Sequence, residues 1–323
     1  MYKLGIWRAE DLGRARTIFG TTRPYAYTLL RVAPPVQAED IRRFETVVPT
    51  VELSSGIFRT TYPSRFEDVD AVVAETLQNV FPKDIPLRIH DWAASDAFLS
   101  MRWAEKTLAA YPRATFTASD LILYLIEAKG NRPEEIFVLE PDGTPLQYIR
   151  PPFVVSLQGR ERSIYPMNVL VSAWGRRRAQ TLNPYAAGLS WTSFTDLAPI
   201  RRGPWTFRLI PLLHPSAIQF AQNGRFHILQ WDALARWPEP VQVIRCLNLY
   251  HPQIFGPERI RQSVTAALES LSEGGLFVAG RTLEKEGRRN DVSIFRKAGG
   301  RAAVLARTGK GFQFEDWARD YHY

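Results

Sequence analysis

The stretch "LRIHDWAASDAFLSMRW", Leu87 to Trp103, decides how the chain is read. A short apolar run closes on Asp91, passes through small residues, and restarts with helical spacing. That is the outline of a strand, a tight turn and a helix, the unit that grips a nucleotide in α/β proteins. Such turns use glycine because it reaches positive φ and lets a ligand approach the backbone. Here the small residues are Ala93, Ser95 and Ala97. The alanines fit a cofactor turn if their φ angles stay negative.

Outward from this stretch the alternation continues. "ATFTASD" (Ala114 to Asp120) predicts a second strand and "LILYLIEAK" (Leu121 to Lys129) a helix. Further on, a short helix begins at Pro215 and ends at Gly224, followed by the strand "RFHILQWD" and the strand "VQVIRCLNLY". "PERIRQSVTAALESLSEGG" predicts an amphipathic helix closed by Gly274-Gly275. "LFVAGRT" is then a strand, and "DVSIFRKAGGRAAVLAR" a closing hairpin around Gly299-Gly300. Strands alternating with helices imply parallel pairing with right-handed crossovers. The predicted fold is α/β: a Rossmann-like, doubly wound, mostly parallel sheet with an antiparallel C-terminal hairpin.

Residues 1–85 predict an N-terminal α+β extension. It holds strand-like pieces ("YAYTLLRV", "GIFRTTY") and a helix near Phe66–Phe81 whose stripe is Phe66, Val69, Val73, Leu77 and Val80. Residues 86–323 form the Rossmann-like domain, with an insertion at about 133–205. Within the insertion, "IFVLEPDGTPLQYI" suggests a hairpin around Asp142-Gly143, and "RPPFVVSLQ" and "MNVLVSAWG" further strands. A long irregular stretch in a compact domain suits a functional cover. The insertion is therefore expected over the acceptor side of the pocket, with Trp174, Arg176, Trp191 and Trp205 as contact candidates.

Composition narrows the class. The 323 residues are 45% hydrophobic and 23% charged, ordinary for a folded protein. No run approaches the roughly 18 apolar residues of a membrane helix, so no membrane partner is expected. The N-terminus acquires charge too early for a signal peptide, which points to the cytoplasm. Cys246 is the only cysteine, which excludes intrachain disulfides and cysteine-based metal clusters. The five histidines (90, 214, 227, 251 and 322) lack ligand spacing, and no metal is expected. The formal charge of +8 is mostly arginine, concentrated in "GRRRA" and "IRRGPWTFR". Arginine among aromatics suits nucleic acid, but a solvated basic face is the simpler reading.

Three acids, Asp91, Asp120 and Asp232, each close a predicted parallel strand, and Asn248 lies near the end of a fourth. That edge of an open α/β sheet is where ligands bind. Carboxylates there can accept ribose hydroxyls and an adenine amino group, and a helix N-terminus can receive an anion.

These residues resemble the class I S-adenosylmethionine-dependent methyltransferases, with a closer likeness to the chemotaxis-receptor glutamate methyltransferases. The pieces that carry it are "IFRTTYPSRF" (Ile57 to Phe66), "HDWAASDAFLS" (His90 to Ser100), "FHILQWDAL" (Phe226 to Leu234), "RCLNLYHP" (Arg245 to Pro252) and "LSEGGLFVAGRT" (Leu271 to Thr282). The resemblance implies S-adenosylmethionine as cofactor. It places Asp91, Ala93, Ser95 and Asp96 with Ala97 beside the methionine part, Asp120 at the ribose, and Trp231, Asp232 and Ala233 at the adenine. Asn248 and Leu249 then lie under the sulfonium. The family's "S-T-G-E-E" has become "SDAFL", so a glycine and two glutamates are replaced, and Asp96 stands in for one acid.

His251, just beyond a strand's carboxyl end in "NLYHP", is a candidate general base, with Tyr250 and Asn248 as candidate positioning residues. The expected activity is methyl transfer to a small molecule or protein side chain by in-line displacement. The alternatives are a non-catalytic scaffold on the same fold and an RNA-binding methyltransferase.

Overall fold

In the computed structural model, the described residues are 4–14, 23–59, 61–131, 135–158, 165–189, 191, 194, 198–252, 254–284 and 288–321. Of the histidines, His322 lies outside them. The chain divides into two compact units, residues 1–60 with 122–215 and residues 61–121 with 216–323. The boundaries thus fall at 60/61, 121/122 and 215/216, whereas the sequence reading sets them at 85/86 and around 133–205. Local patterning does not reveal that the first 60 residues share a core with 122–215.

The second unit carries the candidate site. Its helices are α2 (Glu67–Val80), α3 (Phe98–Ala110), α7 (Pro257–Ser270) and α8 (Glu315–Arg319). Its strands are β1 (Arg88–Trp92), β2 (Thr115–Asp120), β9 (Phe226–Gln230), β10 (Val241–Leu247), β11 (Leu271–Leu283), β12 (Arg289–Ala298) and β13 (Arg301–Thr308). They form one sheet in the order β13-β12-β11-β10-β1-β2-β9. From β9 to β11 the pairing is parallel, and β12 and β13 add on antiparallel. The expected α/β fold with a mostly parallel sheet and a closing hairpin is what forms. Gly299 and Gly300 both have positive φ in the β12–β13 turn, which needs left-handed residues. Strand order reverses at β1, so the crevice of the switch point opens between β1 and β10 at their carboxyl ends.

Helix α2 follows its expected stripe, burying Val69, Val73 and Leu77. Helix α7 ends at Ser270, four residues before Gly274, and Gly274-Gly275 lie inside β11 instead of capping the helix. Burial of Leu271 draws the chain into the sheet early.

The first unit has α1 (Ala38–Val47), α4 (Pro166–Ala179) and the one-turn α5 (Asn183–Ala186). A fourth helix, α6 (Pro215–Phe220), spans the boundary at 215/216. The first unit's strands are β3 (Tyr124–Lys129), β4 (Ile136–Leu139), β5 (Pro145–Arg150), β6 (Phe153–Ser156), β7 (Ile200–Arg202) and β8 (Trp205–Pro211). They make an antiparallel sheet in the order β6-β5-β4-β3-β8-β7. The β4–β5 hairpin turns at Asp142-Gly143 as expected.

Three local expectations fail here. "LILYLIEAK" yields β3, not a helix, because a run buried on both faces carries no periodicity to separate the two. "MNVLVSAWG" is helical, started by Pro166 at its first turn and ended with Arg176, Arg177 and Arg178 in its last. "YAYTLLRV" and "GIFRTTY" contribute isolated bridges at Tyr25 and Phe58, not strands. Of the acceptor-contact candidates, Trp205 is buried against Phe137, and Trp191 packs edge-on to Tyr124.

Candidate functional site

Between β1 and α3 the turn takes an unusual course. Ala93, Ser95 and Ala97 have φ of 56°, 57° and 61°. The expectation of negative φ at the alanines is therefore overturned: the backbone keeps glycine's conformation while the side chains are not glycine. Each such residue costs on the order of 1–3 kcal/mol, held only where the surroundings over-determine it.

Those surroundings are visible. The Ser95 N–H donates to Asp120 Oδ2 at 2.8 Å, and the Ala94 N–H to the Ser119 carbonyl at 2.9 Å. Asp96 is buried, and its Oδ1 accepts from the Phe98 N–H at 3.1 Å, closing an Asx turn just before α3. Ala97 is fully buried, whereas Ala93, Ala94 and Ser95 are half-exposed. The turn therefore presents small side chains to the carboxyl edge of the sheet.

Beneath it lies an ion network that sequence reasoning missed. Arg245 of β10 is fully buried, donating to both Asp91 oxygens at 2.9 and 2.6 Å and to Asp70 of α2 at 2.7 Å. Its guanidinium also sits 4.0 Å from the Trp103 ring centroid. Ser100 Oγ donates to Asp91 Oδ2 at 2.6 Å. The Asp91 carboxylate is thus engaged by arginine and serine, tying β1, β10, α2 and α3 together. Burial is the first cause raising the Asp70 carboxyl above its usual range, with Arg245 opposing it. The signal was present: one arginine inside the apolar "VQVIRCLNL" requires a buried counter-charge.

At the end of β2, Asp120 is half-buried, and its backbone carbonyl accepts from the Trp231 N–H at 3.0 Å. Trp231 packs edge-on to Trp237 at 4.7 Å, and its buried Nε1 has no hydrogen-bond partner among the described residues. Asp232 is exposed and closes an Asx turn by accepting from the Leu234 N–H at 2.9 Å. Ala233 packs partly buried beside it. Asp91, Asp120 and the 93–97 turn are thus gathered at adjacent strand ends, with Trp231 and Asp232 one and two residues beyond the end of β9.

On the β10 side, Asn248 also has positive φ, at 62°, and its Oδ1 accepts from the Thr282 N–H at 2.7 Å. Leu249 packs against the core, and Tyr250 lies inside it with its hydroxyl 3.3 Å from Ser263 Oγ. Burial pushes the Tyr250 phenol well above its ordinary range. His251 is half-buried, and its Nδ1 is a buried atom with no hydrogen-bond partner among the described residues. Cys246 is buried in β10, its thiol pushed up to about 12 by desolvation. Among the described residues no cluster of histidine, cysteine and acids could hold a metal, and no helix is long and apolar enough to cross a membrane.

No protein-family profile and no curated protein matches this chain. Solved structures do. YjhP of Escherichia coli is 13% identical over 74% of this chain and 56% of its own, at TM-score 0.30. An O-methyltransferase family protein of Burkholderia thailandensis is 9% identical over 76% and 42%, at 0.31. A SAM-dependent methyltransferase of Geobacter sulfurreducens, solved with S-adenosyl-L-homocysteine, is 11% identical over 74% and 54%, at 0.30. The chain spans about half the length of these proteins. None of the three comparisons supports the narrower likeness to chemotaxis-receptor methyltransferases.

Proposed function

We propose that residues 61–121 with 216–323 bind S-adenosylmethionine at the carboxyl edge of β1, β2 and β10 and transfer its methyl group to a small-molecule or protein acceptor. The observation that carries this reading is the turn at 93–97. Three non-glycine residues held at positive φ are an expense that a purely connecting turn has no reason to keep. Alternating left-handed residues after a strand also build the concave N–H nests that receive anions.

The residues present fit such a cofactor. Asp120 is positioned to accept ribose hydroxyls, and the half-exposed Ala93 and Ser95 leave steric room beside it. Trp231 offers an aromatic face and an indole N–H without a partner among the described residues, with Asp232 and Ala233 beside it for the adenine. Asp91 acts indirectly, holding the strand that carries the turn, and Asn248 and Leu249 shape the opposite wall. Bound there, the cofactor supplies an electrophilic sulfonium methyl, so alignment of acceptor and leaving group can furnish most of the rate. In this reading His251 takes a proton from the acceptor. Tyr250 supports that loop from within the core.

Ser95→Leu tests the assignment. Leucine adds bulk to a half-exposed wall and some strain at φ of 57°, so S-adenosylhomocysteine binding should be lost while the fold is kept and the thermal midpoint falls only modestly. Unaltered binding in a normally folded variant would remove the turn from the site. Wild-type protein that binds neither S-adenosylmethionine nor its product would favour a non-catalytic scaffold.

A further inference from the structure

Helix α4 of the first unit is built inside out. The face it turns to its own sheet is small and polar: Asn168, Ser172, Gly175 and Ala179 are buried at helical spacing. A Cβ at Gly175 would come within 3.0 Å of Tyr148 and 3.1 Å of Leu157, and Ser172 Oγ donates to the Ser156 carbonyl at 3.1 Å. The large apolar side chains face solvent instead. Met167 is 42% exposed, Val169 41%, Leu170 63% and Trp174 39%. Met167, Leu170 and Trp174, at i, i+3 and i+7, share one exposed face with Val169 flanking it, and exposed apolar side chains grouped in this way mark an interaction surface.

Charge selects the occupant. From Tyr165 to Phe194 the sequence contains no carboxylate, and its charges are Arg176, Arg177 and Arg178. Arg178 is paired with the buried Glu135 at 3.3 Å. Arg176 and Arg177 are exposed, and the exposed Arg150 of β5 lies 5.8 Å from the Trp174 ring centroid. Polarity is therefore segregated along the helix axis: apolar side chains from 167 to 170, tryptophan at 174, arginines at 176 and 177. Leu170 and Arg177 are seven residues apart, about 10 Å of helix. That distance is close to the depth of the zone between phosphates and upper acyl chains, where tryptophan prefers to sit.

We infer that α4 is a peripheral docking element for an anionic phospholipid surface. Met167, Val169 and Leu170 enter the acyl boundary, Trp174 lies at the interface, and Arg150, Arg176 and Arg177 meet the phosphates. An exposed helix face with apolar side chains at one end, arginines at the other and no acids repeats the order of an anionic bilayer, acyl chains beneath phosphates.

The full chain is sedimented with vesicles of phosphatidylcholine alone or mixed with phosphatidylglycerol. Wild type should sediment with the anionic vesicles and be released by salt. L170E should lower that affinity about tenfold or more, because it buries a carboxylate among lipids. R176Q/R177Q should weaken binding and flatten its salt dependence. Leu170 is exposed, so circular dichroism of L170E should match wild type. Wild type failing to bind, or L170E binding equally well, would overturn the proposal. So would light scattering that shows a dimer dissolved by L170E, which would give the face to a second copy of the chain.

Discussion

Arg245→Met is expected to destabilise the protein by about 3–5 kcal/mol, the usual cost of removing one partner from a buried ion network. The side chain is 2% exposed and neutralises Asp91 and Asp70 at once. Without it, two carboxylates remain in a low-dielectric layer between sheet and helices, beside a tryptophan that lost its cation. Methionine fills most of the volume, so the loss is electrostatic and not a cavity effect. The variant should regain stability as pH falls, because the orphaned carboxyls can then take up protons. Replacing the whole network, as Asp70→Leu, Asp91→Leu and Arg245→Met together, should recover most of the deficit. Urea unfolding measures all three quantities. A single Arg245→Met cost below about 1 kcal/mol would contradict a buried, dry network.

The second large effect is acid sensitivity traced to His90. The ring is buried between Trp92 and Trp237, with Nε2 against Ser119 Oγ at 2.8 Å. Desolvation lowers its pKa from 6.5 to about 3. The unfolded chain therefore takes up a proton near pH 6.5 that the folded protein refuses until about pH 3. The stability this neutral histidine supports is fully present above pH 6.5 and is lost as pH falls towards 3. The slope approaches about 1.4 kcal/mol per pH unit, so roughly 3 kcal/mol is gone by pH 4.5. His214, lowered chiefly by burial, acts in the same direction. Asp70, raised, acts in the opposite one. Melting wild type and His90→Gln between pH 7.5 and 4.5 isolates the residue: the gap between them should shrink as pH falls. A constant gap would mean that His90 accepts its proton in the folded state.

Much of the parallel sheet was legible because each strand and helix carries its own local signature. β1, β2, β10 and α7 read directly from apolar runs bounded by turn residues. β3 did not, since burial on both faces erases alternation, and α4 did not, since its buried stripe is Asn168, Ser172, Gly175 and Ala179 instead of large apolar residues. The two-unit division depends on contacts between residues far apart in sequence, such as Gln147 with Tyr25 and Tyr27. At the site, Asp120 and the small turn were visible from strand-end logic. The positive φ at 93, 95 and 97 was not, because alanine and serine seldom adopt it and nothing local announces it. Arg245 could have been found, as a charge in an apolar strand needs a partner, but which partner only the register of β1 against β10 reveals.

The proposed S-adenosylmethionine site is the carboxyl edge around Asp120 and the 93–97 turn. Calorimetric titration of wild type and Asp120→Ala with S-adenosylhomocysteine tests it most directly. Wild type should bind with one site per chain. Asp120→Ala should weaken binding by about 1.5–3 kcal/mol, the worth of hydrogen bonds to a charged acceptor. That is roughly tenfold to more than a hundredfold in Kd. Part of the loss will come from the released Ser95 N–H, so Asp120→Asn, which can still accept from it, should fall between the two. Affinity unchanged in Asp120→Ala, or no heat of binding in a folded wild type, would mean that this edge does not hold the cofactor.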